Sequence, residues 1–190
     1  MGNNPLLCNA DDSLLVVIDI QTKLTSVMPI KILSRLQRNS GLLLKAANQL
    51  NIPVIASEQY PTGLGSLEAE IIKLLPANTI RIEKTSFSCA SNQEFINTLK
   101  ESGRMQIIII GMEAHICVLQ TAMDLTNLGY SVFVVTDAIC SRRREHYETA
   151  IRRINNAGVT TCDSESVVFE WLSDSKHEQF KSISKLIRQV

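Results

Sequence analysis

The sequence predicts an α/β fold: a doubly wound, three-layer α/β/α sandwich around a mainly parallel sheet of about six strands. Short apolar runs alternate with segments of helical period along the chain. The runs Leu14-Leu-Val-Val-Ile18 and Gln106-Ile-Ile-Ile-Ile110 show no apolar–polar alternation, which marks strands buried on both faces. Glycine, proline and capping residues punctuate the boundaries, and no linker, repeat or low-complexity tract interrupts them. The 190 residues therefore read as one domain, with a core from about residue 12 onward.

The elements follow in order. Leu14–Ile18 is the first strand, bounded by Asp12-Ser13 and Asp19. Apolar residues recur at helical spacing from Ile32 to Leu50, through Leu33, Leu36, Leu43, Ala46 and Ala47. Ile52-Pro-Val-Ile-Ala56 is the second strand, with Pro53 tolerable near its start. Tyr60-Pro-Thr-Gly-Leu-Gly65 is loop chemistry, and a short helix over 67–75 ends before Pro76. Thr79–Ile82 is the third strand. Ser91 or Asn92 caps a helix running to Lys100, and Gly103 closes it. The fourth strand, Gln106–Ile110, is broken by Gly111, and a helix follows from Ala114 to Leu128 with Gly129 at its end. Tyr130–Val135 is the fifth strand, a helix covers 145–156, and Val159–Thr161 is a short sixth strand. The chain from Ser164 is helical. Its stripe of Phe180, Ile183, Leu186 and Ile187 packs on the domain or completes a subunit interface.

Composition excludes several function classes. Lys+Arg and Asp+Glu balance at 19 each, so no global charge draws the chain to nucleic acid. The run Arg142-Arg143-Arg144, followed by Glu145 and Glu148, is either a solvated helix entrance or an anion-binding rim. No apolar run approaches the length of a membrane span. Met1-Gly-Asn-Asn-Pro5 carries no leader pattern, and Leu6 stands where a myristoylation signal needs Ser or Thr. The five cysteines lack CxxC spacing, which argues against a zinc ribbon or a disulfide framework and for reduced thiols in the cytoplasm. Cys8 is assigned to a mobile N-terminal arm, and Cys89, Cys140 and Cys162 to ordinary buried or half-buried positions.

Chemically useful residues fall just past the carboxyl ends of three strands: Asp19, Lys84 and Cys117. In doubly wound sheets these ends form the ligand crevice. Cys117 sits at a helix start, where free N–H groups and the macrodipole favour the thiolate and lower its pKa. A thiolate attacks a carbonyl, a carboxylate takes the thiol proton, and an ammonium balances the charges.

The segments Val17-Ile18-Asp19-Ile20-Gln21, Glu83-Lys84-Thr85-Ser86-Phe87-Ser88 and Gly111-Met-Glu-Ala-His-Ile-Cys117-Val-Leu-Gln-Thr-Ala122 resemble the isochorismatase-like hydrolase (cysteine hydrolase) superfamily. Glu58-Gln59-Tyr60-Pro61 and Glu113-Ala-His-Ile-Cys117 are most similar to its isochorismatase-domain-containing subgroup. The resemblance runs from Leu14 to the C-terminal helices. It implies that fold, a homo-oligomer, and a catalytic triad of Asp19, Lys84 and Cys117. It also implies a cis peptide between Glu113 and Ala114 that aims the N–H groups of Ala114 and Cys117 at an oxyanion. Ala114 stands where relatives carry a threonine, which removes one side-chain hydrogen bond.

Departures from other relatives narrow the expectation. Nicotinamidases carry an Asp-x-His metal motif where this chain has Ser57-Glu58-Gln59-Tyr60, and its only histidines are His115, His146 and His177. No metal is expected. No cofactor is expected either: Gly63-Leu-Gly65-Ser66 lacks phosphate-loop spacing and Gly111 stands without further glycines. Isochorismatases proper cleave a vinyl ether and need no cysteine nucleophile. Cys117 points instead to hydrolysis of a small amide or related C–N substrate through a thioester. The alternatives are a weakly active interaction or scaffold protein on the same fold, and a vinyl-ether hydrolase.

The same positions suggest pocket residues. Gln21 positions the lysine or a water, or is plain loop. Tyr60 covers the site from its proline-containing loop. Phe87 lines the pocket or joins the core. His115 lies two helical residues from Cys117, so the side chains diverge by roughly 200° and a pocket-wall or interface role outweighs a general base.

Overall fold

The computed structural model of the chain describes residues 5–188. The reading of Gly2 and its neighbours as neither leader nor lipid signal lies outside the described residues. Six strands form one sheet: β1 (Ser13–Ile18), β2 (Val54–Gln59), β3 (Ile80–Lys84), β4 (Gln106–Met112), β5 (Ser131–Cys140) and β6 (Thr160–Cys162). Their order is β3-β2-β1-β4-β5-β6, and all neighbours run parallel. The order reverses between β1 and β4, so a crevice opens beyond their carboxyl ends.

Residues alternate between the two faces of each strand, and both faces are covered by longer helices, while α1 (Thr22–Thr25), α3 (Pro61–Leu64) and α4 (Ala69–Ile72) are single turns between elements. Leu15 and Val17 of β1, with Ile108 and Ile110 of β4, join a core built by α2 (Ile30–Gln49), α8 (Ser164–Leu172) and α9 (Phe180–Ile187). Leu14, Val16, Ile18, Ile107 and Ile109 face the other way, onto α5 (Gln93–Ser102), α6 (Leu119–Asn127) and α7 (Arg144–Asn156). Burying each such side chain contributes about 1.5–3 kcal/mol, which is why Leu14–Ile18 and Ile107–Ile110 are apolar throughout. Ile183 is fully buried in the first core, so the C-terminal stripe packs on the domain. No helix among the described residues is long and apolar enough to cross a membrane.

Several boundaries shift. Ile52 and Pro53 precede β2 rather than start it, because proline has no N–H for the ladder; its carbonyl instead accepts from Leu15 N–H at 3.0 Å. β2 continues past Ala56 through Ser57, Glu58 and Gln59. The loop expected over 60–65 contains a single helical turn, Pro61–Leu64, entered through Tyr60 at φ 39°. β5 continues past Val135 to Cys140. Cys8 is no mobile arm: it is buried, and its N–H donates to Glu170 Oε2 at 2.7 Å.

The largest shift is at Gly111, which does not break β4. The strand runs through it to Met112, at φ +122°. Gly111 pairs with Ile18, and a Cβ there would lie 2.0 Å from the Ile18 carbonyl oxygen. Only glycine allows this approach, and it brings the ends of β1 and β4 together.

Of the two cap candidates, Asn92 serves α5, accepting from Phe95 N–H at 3.1 Å, and Gly103 closes it at φ 65°. Asp163 caps α8, its Oδ1 accepting from Ser166 N–H at 2.8 Å. Asp163→Ala should cost about 1 kcal/mol, read as a lower urea midpoint at unchanged slope; an unchanged midpoint would discount the cap.

Candidate active site

Asp19 leaves β1 in the left-handed region, at φ 50°, with its N–H held by the Ser57 carbonyl at 3.1 Å. That turn sets its carboxylate, fully buried, beside the ends of β2 and β3. Oδ1 accepts from Ser57 Oγ at 2.7 Å, and Oδ2 accepts from Lys84 Nζ at 2.8 Å. Lys84 is the last residue of β3 and is buried. Its Nζ also donates to Gln59 Oε1 at 2.7 Å and to the carbonyls of Phe87 and Ser86 at 3.2 and 3.3 Å. Burial is the largest single influence and disfavours this ammonium, but the Asp19 charge, the neighbouring Cys89 and Cys117 and the hydrogen bond to Asp19 together outweigh it, and the net pKa lies above the usual lysine value.

Cys117 lies beyond β4 in a π-helical turn, Ala114–Val118, that precedes α6. It is buried, in one cluster with Ile18, Cys89 and Ala114. The expectation of a depressed thiol pKa is overturned. Burial pushes it well above the ordinary thiol range, the Asp19 carboxylate pushes the same way, and Lys84 only partly opposes them. The resting sulfur is therefore a thiol beside a carboxylate. The helix start that was expected to favour the thiolate is outweighed by desolvation.

The cis peptide lies between Met112 and Glu113, one bond earlier than expected. Glu113 is extended (φ −87°, ψ 142°), and its carbonyl takes the N–H groups of Ile116 and Val118, so the helical turn starts only after it. Its carboxylate is tied to Arg142, accepting from Nε at 3.0 Å and from N–H at 3.2 Å. Ala114 is fully buried at the head of the turn.

The pocket candidates divide. Gln21 is buried and holds Gln59: its Oε1 accepts from Gln59 N–H at 2.7 Å, and its Nε2 donates to the Gln59 carbonyl at 3.0 Å. It acts on Lys84 through that residue. Tyr60 donates its N–H to the Lys84 carbonyl at 2.8 Å and exposes 55% of its surface. Phe87 exposes 53%, so it is not core. Both rings stand on segments bonded to Lys84. His115 turns away toward β5, its Nδ1 3.0 Å from Ser141 Oγ and its ring 4.4 Å from that of His146. Burial lowers its pKa, Glu113 opposes that, and His146 and Arg142 reinforce it.

Sequence reasoning missed Ser57, Gln59 and Cys89. The second strand was expected only as far as Ala56; it continues to Gln59, and Ser57 and Gln59 bond Asp19 and Lys84. Cys89 is fully buried, its Sγ 3.5 Å from Ser57 Oγ, with a pKa pushed up to about 11 by burial and by Asp19. The available signal was the unbroken polar run Ser57-Glu58-Gln59 directly after an apolar strand.

Comparison with known proteins identifies the family and the fold. The profile of the Isochorismatase domain matches residues 13–166. Isochorismatase family protein 1B of Dictyostelium discoideum is 33% identical over 183 residues, covering 94% of this chain and 87% of that protein. Among solved structures, one described as a Mar1 ribonuclease from Caenorhabditis elegans superposes with a TM-score of 0.90 at 36% identity, covering 96% of this chain and 92% of that one. The YcaC product of Escherichia coli, described as an octameric hydrolase of unknown specificity, shares the fold at a TM-score of 0.89 and 24% identity, covering 98% and 91%. A match spanning residues 13–166, on a sheet whose crevice holds the Asp19–Lys84 pair beside Cys117, means that this chain belongs to the isochorismatase family.

Proposed function

We propose that the chain is a cysteine hydrolase of small amides or related C–N compounds, with Asp19, Lys84 and Cys117 as its catalytic groups. The observation that carries this reading is the buried 2.8 Å Lys84–Asp19 pair acting on the Cys117 thiol. A buried carboxylate next to a nucleophile and fixed by an ammonium is the arrangement of a general base.

As Sγ attacks the carbonyl carbon, the thiol proton passes to Asp19. The N–H groups of Ala114 and Cys117 are assigned to the resulting oxyanion. Its collapse breaks the C–N bond, Asp19 returns the proton to the leaving amine, and a thioester remains. Water then gives a proton to Asp19 and attacks the thioester. The acid departs, and the proton returns to Cys117. Lys84 stays charged throughout. Gln21 and Gln59 position it, and Tyr60 and Phe87 form the rim.

Cys117→Ala should abolish ammonia release from a panel of small primary amides while leaving the thermal midpoint within a few degrees of wild type. Acyl-enzyme trapped by acid quench should appear in wild type as a mass added at Cys117. Turnover that survived the substitution would sink the covalent mechanism. The description of the C. elegans relative favours a second reading, hydrolysis of RNA. An RNA oligonucleotide belongs in the same panel, and its cleavage by wild type and by Cys117→Ala alike would favour that reading. Reduced cysteines in a cytoplasmic compartment and homo-oligomerisation, the latter testable by light scattering, complete the proposal; Val27 and Ile30 are exposed apolar residues available to an interface.

A further inference from the structure

Beside the nucleophile turn lies an open cleft of about 370 Å³, distinct from the Asp19–Lys84–Cys117 group. It sits where the start of α2, the end of β5 and the start of α7 meet. Pro29, Ile32 and the Tyr147 ring supply apolar wall, and Arg35, Arg142 and Arg144 supply positive charge against the one carboxylate of Glu148. The charges are not equivalent. Arg144 is paired with Glu148 at 2.6 Å, and Arg142 with Glu113 at 3.0 Å. Arg35 has no carboxylate partner among the described residues. One of its terminal nitrogens donates to the Ile139 carbonyl at 3.2 Å, and its guanidinium carbon lies 5.9 Å from the centre of the Tyr147 ring. Its Nε is buried and has no hydrogen-bond partner.

Arg35 is half-buried and lines the cleft, with its guanidinium held by a backbone carbonyl and an aromatic ring rather than by a carboxylate, so the charge is left for an anion from solution. A guanidinium fork anchored by a backbone carbonyl and an aromatic ring is preorganised to receive a planar anion. Arg142 and Arg144 are already neutralised by Glu113 and Glu148, which leaves Arg35 as the cleft's cation without a carboxylate among the described residues. We propose that this cleft is a binding site for a small organic carboxylate, with Arg35 taking the anionic group and Pro29, Ile32 and Tyr147 contacting its apolar body. The proposal does not depend on the hydrolase reading.

Isothermal titration calorimetry of the intact chain with benzoate, and with benzyl alcohol as its uncharged counterpart, tests it. Wild type should bind benzoate saturably and benzyl alcohol at least tenfold more weakly. Arg35→Met should weaken benzoate at least tenfold, and Arg35→Lys, which keeps the charge and loses the fork, should fall between. Thermal melts check that each variant is folded; should Arg35→Met fail to fold, Arg35→Lys decides alone. Absence of saturable benzoate binding to wild type, equal binding of benzyl alcohol, or benzoate binding indifferent to the Arg35 substitutions would each overturn the proposal.

Discussion

Asp19→Asn should abolish amide hydrolysis and at the same time speed alkylation of Cys117. The two effects diverge because Asp19 does opposite things to the resting and the reacting sulfur. At rest, burial and the Asp19 charge together hold the thiol protonated. Neutralising the carboxylate removes the second of these, so the thiolate fraction at fixed pH rises and iodoacetamide reacts faster. In the proposed turnover, the same carboxylate accepts the thiol proton, and losing a general base costs about 10²–10⁴-fold. Site-resolved mass spectrometry across pH 6–10 gives the alkylation rate. In wild type that rate should stay low at neutral pH and climb beyond the ordinary thiol range. Slower alkylation in Asp19→Asn than in wild type would contradict this account.

The same variant also tests the buried pair. Removing one partner of a buried ion pair costs about 3–5 kcal/mol, here softened because Lys84 keeps Gln59 and the carbonyls of Ser86 and Phe87. The Lys84 pKa is raised in the folded state, so its contribution is fully present below the unfolded lysine value of about 10.4 and is lost as pH rises through the folded value. The stability gap between wild type and Asp19→Asn should therefore be flat from neutral pH upward and narrow only at strongly alkaline pH.

Gly111→Ala should be the most destabilising single-methyl addition in the sheet, at about 3 kcal/mol or more. Its φ of +122° disfavours any side chain, and the new Cβ would meet a main-chain oxygen that has nowhere to go. Urea denaturation should show the midpoint falling steeply, and any folded fraction should have lost activity because β1 and β4 carry Asp19 and the Cys117 turn. A wild-type midpoint would show that the strands can separate without harm. Gly129→Ala is the control: it also has positive φ, but nothing lies within 4 Å of its Cβ position.

The layer architecture was legible because apolar runs such as Gln106–Ile110 have only one economical placement, between two helical layers. The gathering of Asp19, Lys84 and Cys117 at one end of the sheet was legible because strand ends in such a sheet converge, and because the three motifs containing them resemble known relatives. What escaped was set by contacts between segments distant in sequence. Gly111 looked like a strand breaker because nothing local reveals that Ile18 lies against it. The second strand seemed to end at Ala56 because the polarity of Ser57 and Gln59 is explained only by Asp19 and Lys84 across the sheet. The state of the Cys117 thiol was misjudged because a helix start is a local cue, whereas burial and a carboxylate from β1 are not. The cis bond was displaced by one residue, since an aligned motif does not show where the extended backbone of Glu113 ends.

The protonated state of Cys117 bears on chemical durability. Peroxides and electrophiles attack thiolates far faster than thiols, and a buried sulfur is screened from them as well. If Cys117 acts as the proposed nucleophile, keeping it as a thiol until a carbonyl arrives leaves it idle toward oxidants in the absence of substrate. Such a protein would outlast an oxidative burst that silences hydrolases whose cysteines rest as thiolates, and its lifetime in peroxide would shorten once Asp19 no longer holds the proton in place.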